Sequence, residues 1–562
     1  MNILSIATSH DASVSLFCDG KLKYFGKEER LSGFKHDKGC TKALDYIIKN
    51  DLKVDLVVLN AVFSPDQFNY FLDPVLRKQF DCDVIHYENE HHLSHAILAF
   101  QRSDFEESLV CVIDRNGSTN NYFSEVESIF KIDKSLNVNT VYKNFAIHHI
   151  GKINFEKELL ESKLNSLLDR DGINDNSFDM RYDSILGVTQ VYESATILIG
   201  EDGHNNGKVM GLSSYGKDSE FKNLFYNGIA DSHLFMRNSG SENNCILLKE
   251  YYGRETNQIT ESNYQFYADY AFQVQKQTQE EVLRIIKTYV EKTNIKKVCV
   301  SGGYGLNVVT NSYLVKNLPD VDFYFDSIPD DTGISLGAGS YYYKKKTGIV
   351  PAIPKDTFFH HVSYDLKGIS GKRVSTRDIA RFIVDGKIVG VFNGQAETGP
   401  RALGNRSILF DARNPDAKEI INTVKGREWY RPFACSVLKE DAKEYFDMYH
   451  LDESPNMTLS FPVKTSNIPG VTHVDNTCRI QTVDRSIPHL YNVLKEFRNL
   501  TGVSVLLNTS FNLAGNPLVE TPEEAIKIFN ESKFSIYLSK VFISLHPIDV
   551  LWFPEINMMI SE

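Results

Sequence analysis

Short apolar runs alternate with segments of helical periodicity along the first 350 residues or so. The runs ILSIA and SVSLF, a tight turn at Asp19-Gly20 and the returning run KLKYFGKEE predict a β-meander at the N-terminus. DLVVLNAVF, DVIHY and LVCVIDRNG predict further strands, and the helix-like stretch HHLSHAILAFQRS stands between the last two. Residues 270–293 carry apolar residues at helical spacing and lead into the strand and glycine turn KKVCVSGGYGLN. Strands that alternate with helices predict an α/β fold.

The pattern changes between residues 345 and 370, where prolines stand in close order in GIVPAIPKDT and interrupt regular structure. β-rich runs and short helices then continue to the C-terminus. A chain of 562 residues also exceeds what one hydrophobic core usually supports. We therefore predict an N-terminal domain over residues 1–350, a linker over 351–370 and a C-terminal domain over 371–562. No short sequence repeat is visible.

Composition narrows the class of protein. The chain has no apolar run of about 18 residues and no basic N-terminal segment before a cleavable apolar stretch, so we expect a soluble, cytoplasmic protein. The eight cysteines form no CxxC pair, which favours reduced core residues over disulfides or a zinc–thiolate site. The net charge of −12 disfavours broad binding to nucleic acids or anionic membranes.

Three histidines of the segment HHLSHA are candidates for metal binding: His91, His92 and His95. On a helix, His91 and His95 stand one turn apart on the same face, whereas His92 points elsewhere. Asp114, at the end of the strand LVCVID, is well placed to add the carboxylate that an iron, manganese or zinc site needs. The Asp330-Asp331 pair in IPDDTGISLGAG is a second carboxylate candidate. Histidines that face solvent or are hydrogen-bonded in the core are the alternative.

Two further segments have a composition suited to anions. SGGYGLNVVTN (301–311) follows a strand and opens a helix, so its N–H groups can cradle phosphate, although a plain strand-to-helix turn looks nearly the same. Near the C-terminus, basic side chains stand among glycine, proline and aromatic residues, with the polar run NTSFN behind the strand VSVLL. These basic residues are Arg401, Arg406, Lys425, Arg427, Arg431 and Arg479. The group favours a site for a small polyanion over isolated surface salt bridges.

The order of motifs resembles that of the O-carbamoyltransferases of the NodU/CmcH family over almost the whole chain. The matching segments are SHDASVSL, KEERLSGFKHD, HHLSHA, VIDRNGS, GKVMGLSSYG, SGGYGLN, DDTGISLGAG, GPRALGNRSIL, REWYRPFACSVL, HVDNTCRIQTV and LLNTSFN. The resemblance implies an α/β chain with an N-terminal actin-like (ASKHA, Kae1-like) metal-dependent carbamoyl-transfer domain. It also implies a C-terminal YrdC-like α/β domain that forms carbamoyl-adenylate.

The same resemblance assigns residues to roles. It implies an iron-type metal held by His91, His95, Asp114 and Asp331. It implies that His10 is the base at the acceptor hydroxyl and that Lys35 occupies an active-site position. It implies a carbamoyl-phosphate and ATP site made by Arg401, Lys425, Arg431, Arg479, Asn508 and Ser510. For the N-terminal domain we predict nucleotide contacts at Gly302, Gly303 and Asn307. The sequence departs from the family at VIDRNGS, where Arg115 replaces a small or acidic residue.

The implied reaction uses ATP, with Mg²⁺, and carbamoyl phosphate as co-substrates. The phosphate of carbamoyl phosphate is exchanged for AMP with release of pyrophosphate, and the carbamoyl group then passes to a hydroxyl at the metal. The sequence leaves the acceptor open; the candidates are a natural-product sugar and a hydroxymethylated nucleobase, in a modified nucleotide or in DNA. Two other hypotheses remain: a tRNA threonylcarbamoyladenosine-type modification enzyme and a non-catalytic, actin-like nucleotide-binding protein.

Overall fold

The computed structural model describes residues 1–552 except for residues 9, 62–66, 88–89, 121, 148–161, 166–167, 169–177, 185, 202, 220, 222, 227–228, 231–258, 261, 365–371, 374, 532–540 and 546–549. Residues 553–562 also lie outside the description. The chain forms two compact units. Unit 1 comprises residues 1–28 and 36–355, and unit 2 comprises residues 29–35 and 356–562. The predicted linker, 351–370, lies partly outside the described residues.

Unit 1 contains two main sheets with helices. Its strands are β1 (Asn2–Thr8), β2 (Ser13–Cys18), β3 (Lys21–Lys27), β4 (Leu56–Ala61), β5 (Asp83–His86), β6 (Glu107–Ile113), β7 (Phe123–Asp133), β8 (Val138–Ile147), β9 (Asp179–Ser184), β10 (Phe225–Tyr226), β11 (Ile229–Ala230), β12 (Lys297–Ser301) and β13 (Asp322–Phe325). After α1 (Glu28–Ser32), where the chain passes into unit 2, the helices are α2 (Thr41–Lys49), α3 (Gln67–Phe80), α4 (His91–Arg102), α5 (Val188–Leu198), α6 (Asn206–Ser213), α7 (Tyr264–Thr293), α8 (Val308–Asn317) and α9 (Ile334–Thr347).

The two sheets of unit 1 repeat one topology. The first has the order β3-β2-β1-β4-β5, with β1, β2 and β3 antiparallel and β4 and β5 parallel to β1. In the second, β8-β7-β6-β12-β13 has the same order and the same strand directions, and β9 extends its edge. Sheets with parallel strand pairs and helices between the strands confirm the predicted α/β class. The duplicated order agrees with the actin-like domain that the resemblance implies. The repeat lies in the topology, which explains why no short sequence repeat is visible.

The duplication brings equivalent loops together. In each half, a turn follows the first strand and a helix follows the fifth: α4 follows β5, and α9 follows β13. The two helices approach closely, since a Cβ at Gly337 of α9 would lie 1.9 Å from the carbonyl oxygen of Ser94 in α4. A glycine is therefore required at this crossing. The apolar face of α4, with Ile97 and Phe100, packs against Val110 of β6 and Cys299 of β12.

Unit 2 is built on one mixed sheet with the order β14-β22-β21-β15-β16-β20-β17-β19-β18. Its strands are β14 (Lys372–Arg373), β15 (Val389–Phe392), β16 (Arg406–Asp411), β17 (Ala434–Leu438), β18 (Ser460–Pro462), β19 (Thr477–Val483), β20 (Val505–Ser510), β21 (Val541–Leu545) and β22 (Val550–Trp552). Its further helices are α10 (Thr376–Val384), α11 (Ala417–Lys425), α12 (Ala442–Tyr445), α13 (Pro488–Thr501) and α14 (Pro522–Glu531).

Local sequence signals explain the helices of unit 2. Ser375 and Asp378 form a reciprocal capping box at the start of α10, which buries Ile379 and Ile383 on one face. α13 ends at Gly502, whose φ of +77° suits a helix C-terminus. In the described part of the chain, no helix combines the length and apolar character needed to span a bilayer.

Candidate metal centre and anion-binding cluster

Four predicted ligands converge in unit 1. His91 and His95 lie in the first turns of α4, Asp114 follows β6, and Asp331 precedes α9. One donor atom from each lies within 4.8 Å of the others, and the four residues are buried. Both halves of the duplicated fold therefore contribute to one cluster.

The distances place the two imidazoles between the two carboxylates. His91 Nε2 is 2.9 Å from Asp114 Oδ2 and 3.5 Å from Asp331 Oδ1. His95 Nε2 is 3.7 Å from each of these oxygens and 3.3 Å from His91 Nε2. Two imidazole nitrogens that face each other at this distance cannot both donate, and both present lone pairs when a metal ion lies between them.

The electrostatics of the cluster fit a divalent cation. Burial lowers the pKa of His95, but the neighbouring carboxylates of Asp114 and Asp331 raise that pKa overall, to about 10. Burial raises the pKa of Asp114, but the hydrogen bond with His91 and the nearby imidazole of His95 bring it well below its ordinary value. Burial also raises the pKa of Asp331, but His10, His91 and His95 lower it overall. The two carboxylates are thus ionised beside each other and require positive charge. A bound divalent ion supplies that charge in place of imidazole protons.

A glycine turn holds Asp114 in position. The backbone N–H of Gly303 donates to Asp114 Oδ1 at 2.9 Å. A Cβ at Gly302 would lie 2.5 Å from the carbonyl oxygen of Ile113, and its φ is +84°, so this position requires glycine. The side chain of Asn307 caps α8 through the N–H of Thr310 at 3.0 Å. These contacts within unit 1 are the ones that the structure gives to Gly302, Gly303 and Asn307. The sequence predicts nucleotide contacts for the same three residues.

His10, the predicted base, lies at the edge of the metal cluster. Its Nε2 is 3.5 Å from Asp331 Oδ2, and its Nδ1 is 3.2 Å from Asp11 Oδ2. Lys27, which is buried, forms a salt bridge of 3.1 Å with Asp11 Oδ1. The charge of Asp331, with smaller effects from Asp11 and Asp114, raises the pKa of His10 to about 9 although burial opposes this.

His92 faces away from the metal ligands, as its position on α4 predicts. Its Nδ1 is 2.8 Å from the hydroxyl of Ser128, which donates to Glu125, and Lys143 forms a salt bridge with the same carboxylate. Glu125 also accepts a hydrogen bond from the N–H of Ser118, in the loop that follows Asp114. The sequence patterns do not predict this network. Charged residues within the otherwise apolar strands β7 and β8 were the available signal.

Lys35 and Arg115 have different surroundings. Lys35 is exposed and belongs to the segment of unit 2 formed by residues 29–35. Arg115 follows the metal ligand Asp114 and forms a salt bridge with Glu193 of α5, with 2.8 Å between Nε and Oε2. Its charge is therefore paired within unit 1.

Unit 2 contains a cluster of cations around Ser510, at the end of β20. The ammonium of Lys425, which is 1% exposed, donates to the backbone oxygens of Ser510 and Asn512. Arg427 Nη2 lies 3.4 Å from Ser510 Oγ. Neither Lys425 nor Arg427 forms a salt bridge with a carboxylate among the described residues. Burial, followed by the nearby arginines, lowers the pKa of Lys425 well below its ordinary value and that of Arg427 to about 9.

The sheet register brings further predicted residues into the same cluster. Arg479 of β19 and Asn508 of β20 both lie opposite Ala434 of β17. Arg431 lowers the pKa of both Arg427 and Arg479, which shows that the three guanidinium groups repel one another. The buried atoms Arg427 Nε, Arg479 Nε and Asn508 Oδ1 have no hydrogen-bond partner among the described residues. Unsatisfied polar atoms grouped in this way are typical of a ligand site.

Among the residues that the structure describes, Glu428 is the carboxylate that pairs with one of these cations. Arg431 Nη1 lies 3.4 Å from Glu428 Oε2, three residues earlier in the chain, and both side chains are partly exposed. An ion pair of this kind is weak because water screens it. Glu428 therefore offsets only part of the positive charge of the cluster.

The two arginines of GPRALGNRSIL have different environments. Arg406 is fully buried, and its guanidinium donates to the carbonyl oxygens of Asn393 and Gly394 and lies over the ring of Phe392. It therefore stabilises the turn and is not available to an anion. Arg401 is half-buried in a loop that the carboxylate of Glu397 organises by accepting backbone hydrogen bonds.

Family models match both parts of the chain. The description Carbamoyltransferase N-terminus matches residues 53–340, and Carbamoyltransferase C-terminus matches residues 380–544. The chain belongs to the carbamoyltransferase family. The resemblance predicted from the motifs is thereby confirmed, and this carbamoyltransferase is an enzyme that acts on small-molecule substrates.

Individual relatives agree with the family assignment. Nodulation protein NolNO of Sinorhizobium fredii is 29% identical over 581 residues, which covers 92% of this chain and 76% of NolNO. Nodulation protein U of Rhizobium fredii is 32% identical over 227 residues, 39% of each chain. Among solved structures, full-length HypF in its phosphate- and nucleotide-bound form matches with a TM-score of 0.37 at 16% identity. That match covers 62% of this chain and 56% of HypF.

Proposed function

We propose that this carbamoyltransferase is an ATP-dependent O-carbamoyltransferase that works in two steps. In unit 2, carbamoyl phosphate and ATP yield carbamoyl-adenylate. In unit 1, the carbamoyl group passes to a hydroxyl of the acceptor with release of AMP. The observation that carries the proposal is the largely uncompensated cation cluster of Lys425, Arg427, Arg431 and Arg479 beside unsatisfied polar atoms.

The charge of the cluster supports a polyanionic substrate. A buried cation without a carboxylate partner is costly, and mutual repulsion adds to this cost. Carbamoyl phosphate and the triphosphate of ATP bring the missing negative charge, and arginine matches phosphate with two parallel hydrogen bonds. Mg²⁺ bound to ATP completes the charge balance. We assign the phosphate contacts to Arg401, Arg427, Arg431 and Arg479, with Asn508 and Ser510 as neutral partners. Lys425, whose ammonium donates to Ser510 and Asn512, adds its positive charge beside them. This YrdC-like role of unit 2 belongs to the proposal.

The first step balances with one water molecule. Water releases phosphate from carbamoyl phosphate, and an oxygen of the resulting carbamate attacks the α-phosphorus of ATP. Pyrophosphate leaves, and carbamoyl-adenylate remains. Cations placed around the transferring phosphoryl group stabilise the charge that develops on its oxygens.

The second step uses the cluster of unit 1. Two imidazoles and two carboxylates suit a divalent transition metal, and we propose Fe²⁺, held by His91, His95, Asp114 and Asp331. When bound, the ion supplies Lewis-acid polarisation of the substrate oxygens. His10 accepts the proton of the acceptor hydroxyl at Nε2, while the carboxylate of Asp11 orients its ring through Nδ1. Because the charge of Asp331 is the largest cause of the raised pKa of His10, neutralisation of that charge by a bound ion would lower the pKa again.

Pyrophosphate release tests the first step. The holoenzyme with ATP and Mg²⁺ should release pyrophosphate when carbamoyl phosphate is added and no acceptor is present. The reaction should be lost in Arg431→Ala. An enzyme that releases pyrophosphate without carbamoyl phosphate, or that transfers label from carbamoyl phosphate to an acceptor without ATP, would refute the two-step scheme.

A screen with labelled carbamoyl phosphate tests the acceptor class. The set should include natural-product sugars, nucleosides with a hydroxymethylated base and DNA that contains such bases. Threonylcarbamoylation of tRNA is the competing function, and it requires threonine and bicarbonate where our proposal requires carbamoyl phosphate. Activity with threonine and tRNA, and none with carbamoyl phosphate, would favour that alternative.

A further inference from the structure

A large exposed aromatic side chain stands inside the basic segment of unit 2. Trp429 is 53% exposed, while its neighbour Tyr430 is 3% exposed. The N–H of Arg431 donates to the carbonyl oxygen of Glu428 at 3.2 Å and closes a turn with Trp429 and Tyr430 at its centre. The two rings meet edge to face, with centroids 5.7 Å apart and an interplanar angle of 87°. The buried tyrosine thus supports the indole from one side.

The turn joins this aromatic surface to the cation cluster. Arg427 and Arg431 stand two residues before and two residues after Trp429. The ammonium of Lys418 lies 6.0 Å from the indole centroid, which adds a further positive charge beside the ring. A single exposed apolar residue is ordinary on a protein surface. An exposed indole bracketed by two arginines of an anion cluster has the composition of a surface that binds a base and its phosphates together.

We infer that Trp429 stacks on the base of the nucleotide whose phosphates contact Arg427 and Arg431, and so determines the preference for ATP over non-aromatic polyphosphates. The inference rests on the proposed function of unit 2. Two residues span at most about 7 Å of chain, so the backbones of Arg427 and Arg431 lie within that distance of Trp429, a separation comparable to the ribose that stands between a base and its α-phosphate. Trp429 is therefore a specificity-determining residue, and the arginines supply the phosphate contacts.

Replacement of Trp429 should change the KM for ATP and not the KM for carbamoyl phosphate. Loss of base stacking weakens nucleotide binding about tenfold. Trp429→Ala should therefore raise the KM for ATP about tenfold in the pyrophosphate-release reaction and leave the KM for carbamoyl phosphate unchanged. Trp429→Phe keeps an aromatic face and should restore most of the affinity. A structural role of the turn would instead change both KM values or neither.

Tryptophan fluorescence reports on the same contact without turnover. The chain has two tryptophans, Trp429 and Trp552. In a full-length Trp552→Phe variant all tryptophan emission comes from Trp429, and ATP with Mg²⁺ should quench it. Inorganic tripolyphosphate should displace ATP and reverse the quenching, because it occupies the phosphate site without a base. The matched Trp429→Phe variant, which keeps Trp552, should show no ATP-dependent quenching.

The outcomes separate failure of the inference from failure of the proposed function. If Arg431→Ala abolishes pyrophosphate release while Trp429→Ala keeps the wild-type KM for ATP, the stacking inference is wrong and the proposed function stands. If Arg431→Ala keeps wild-type pyrophosphate release, the proposed phosphate site is wrong, and the inference falls with it. Quenching by tripolyphosphate as strong as that by ATP would also overturn the inference.

Discussion

Replacing His95 by alanine should remove the metal ion, whereas the same replacement at His92 should not. The two histidines lie on one helix, and both are 0% exposed. Each substitution removes a buried imidazole, so the two variants share a comparable cavity cost, about 2 to 4 kcal/mol. They differ in contacts, because His95 Nε2 lies among the carboxylates of Asp114 and Asp331, while His92 contacts Ser128.

The difference in metal affinity can be bounded from these contacts. Loss of a group that merely supports a ligand costs about 10- to 100-fold in affinity. His95 is one of four converging donors, so its loss should reach the upper part of that range, about 100-fold, or roughly 2.7 kcal/mol. His92 touches no ligand atom, so we expect less than about tenfold in His92→Ala.

Metal analysis of the purified variants measures the effect, with circular dichroism to confirm folding. His95→Ala should lack metal and fail to transfer the carbamoyl group to an acceptor, yet still release pyrophosphate at the wild-type rate. His91→Ala should behave similarly. Full metal occupancy in His95→Ala, or an equal loss in His92→Ala, would refute the ligand assignment. Loss of both half-reactions in a folded variant would refute the division of labour between the units.

Three further substitutions test other parts of the account. Arg431→Ala should abolish carbamoyl-adenylate formation with the metal content intact, as a product assay beside metal analysis will show; normal adenylate formation would contradict this. Gly302→Ala should weaken metal binding, because its Cβ would meet the carbonyl of Ile113 at 2.5 Å and displace Asp114; unchanged metal affinity would contradict it. Burial raises the pKa of Glu520, but His360, Arg406 and Arg30 bring it down to about 2 from 4.5, so its ionised form stabilises unit 2 above about pH 4.5 and this contribution is lost as the pH falls toward 2. Glu520→Gln should therefore lower the free energy of unfolding at pH 7 by about 3 kcal/mol and flatten its dependence on pH in that window, as urea titrations at several pH values will measure.

The alternating pattern of strands and helices was enough to predict the fold class, but it could not predict the duplicated topology of unit 1. The two sheets share strand order and direction without sharing a sequence pattern, because many apolar residues can fill the same strand positions. The close crossing at Gly337 likewise depends on a contact with Ser94, which is far away in the sequence. Contacts of this range are invisible to local periodicity.

The ligands of the candidate metal centre were the site residues that the sequence predicted most directly. The spacing of His91 and His95 on a helix implied a shared face, and Asp114 stood at a strand end. The residues that hold the ligands in position could not be predicted, because they are distant in the sequence: Gly303, whose N–H donates to Asp114, is 189 residues away from it. Similarly, Arg401 and Arg406 stand in one motif and have the same predicted role in anion binding. In the structure Arg406 is fully buried and donates to backbone carbonyl oxygens.

The exchange of radiolabelled pyrophosphate into ATP tests the central claim most directly. Exchange requires reversible formation of an adenylate, and it needs neither an acceptor nor the metal centre of unit 1. We predict that the full-length His95→Ala enzyme, with Mg²⁺, catalyses this exchange at the wild-type rate when carbamoyl phosphate is present and not when it is omitted. Absence of exchange in the wild-type enzyme, or exchange that does not depend on carbamoyl phosphate, would contradict the proposed carbamoyl-adenylate pathway.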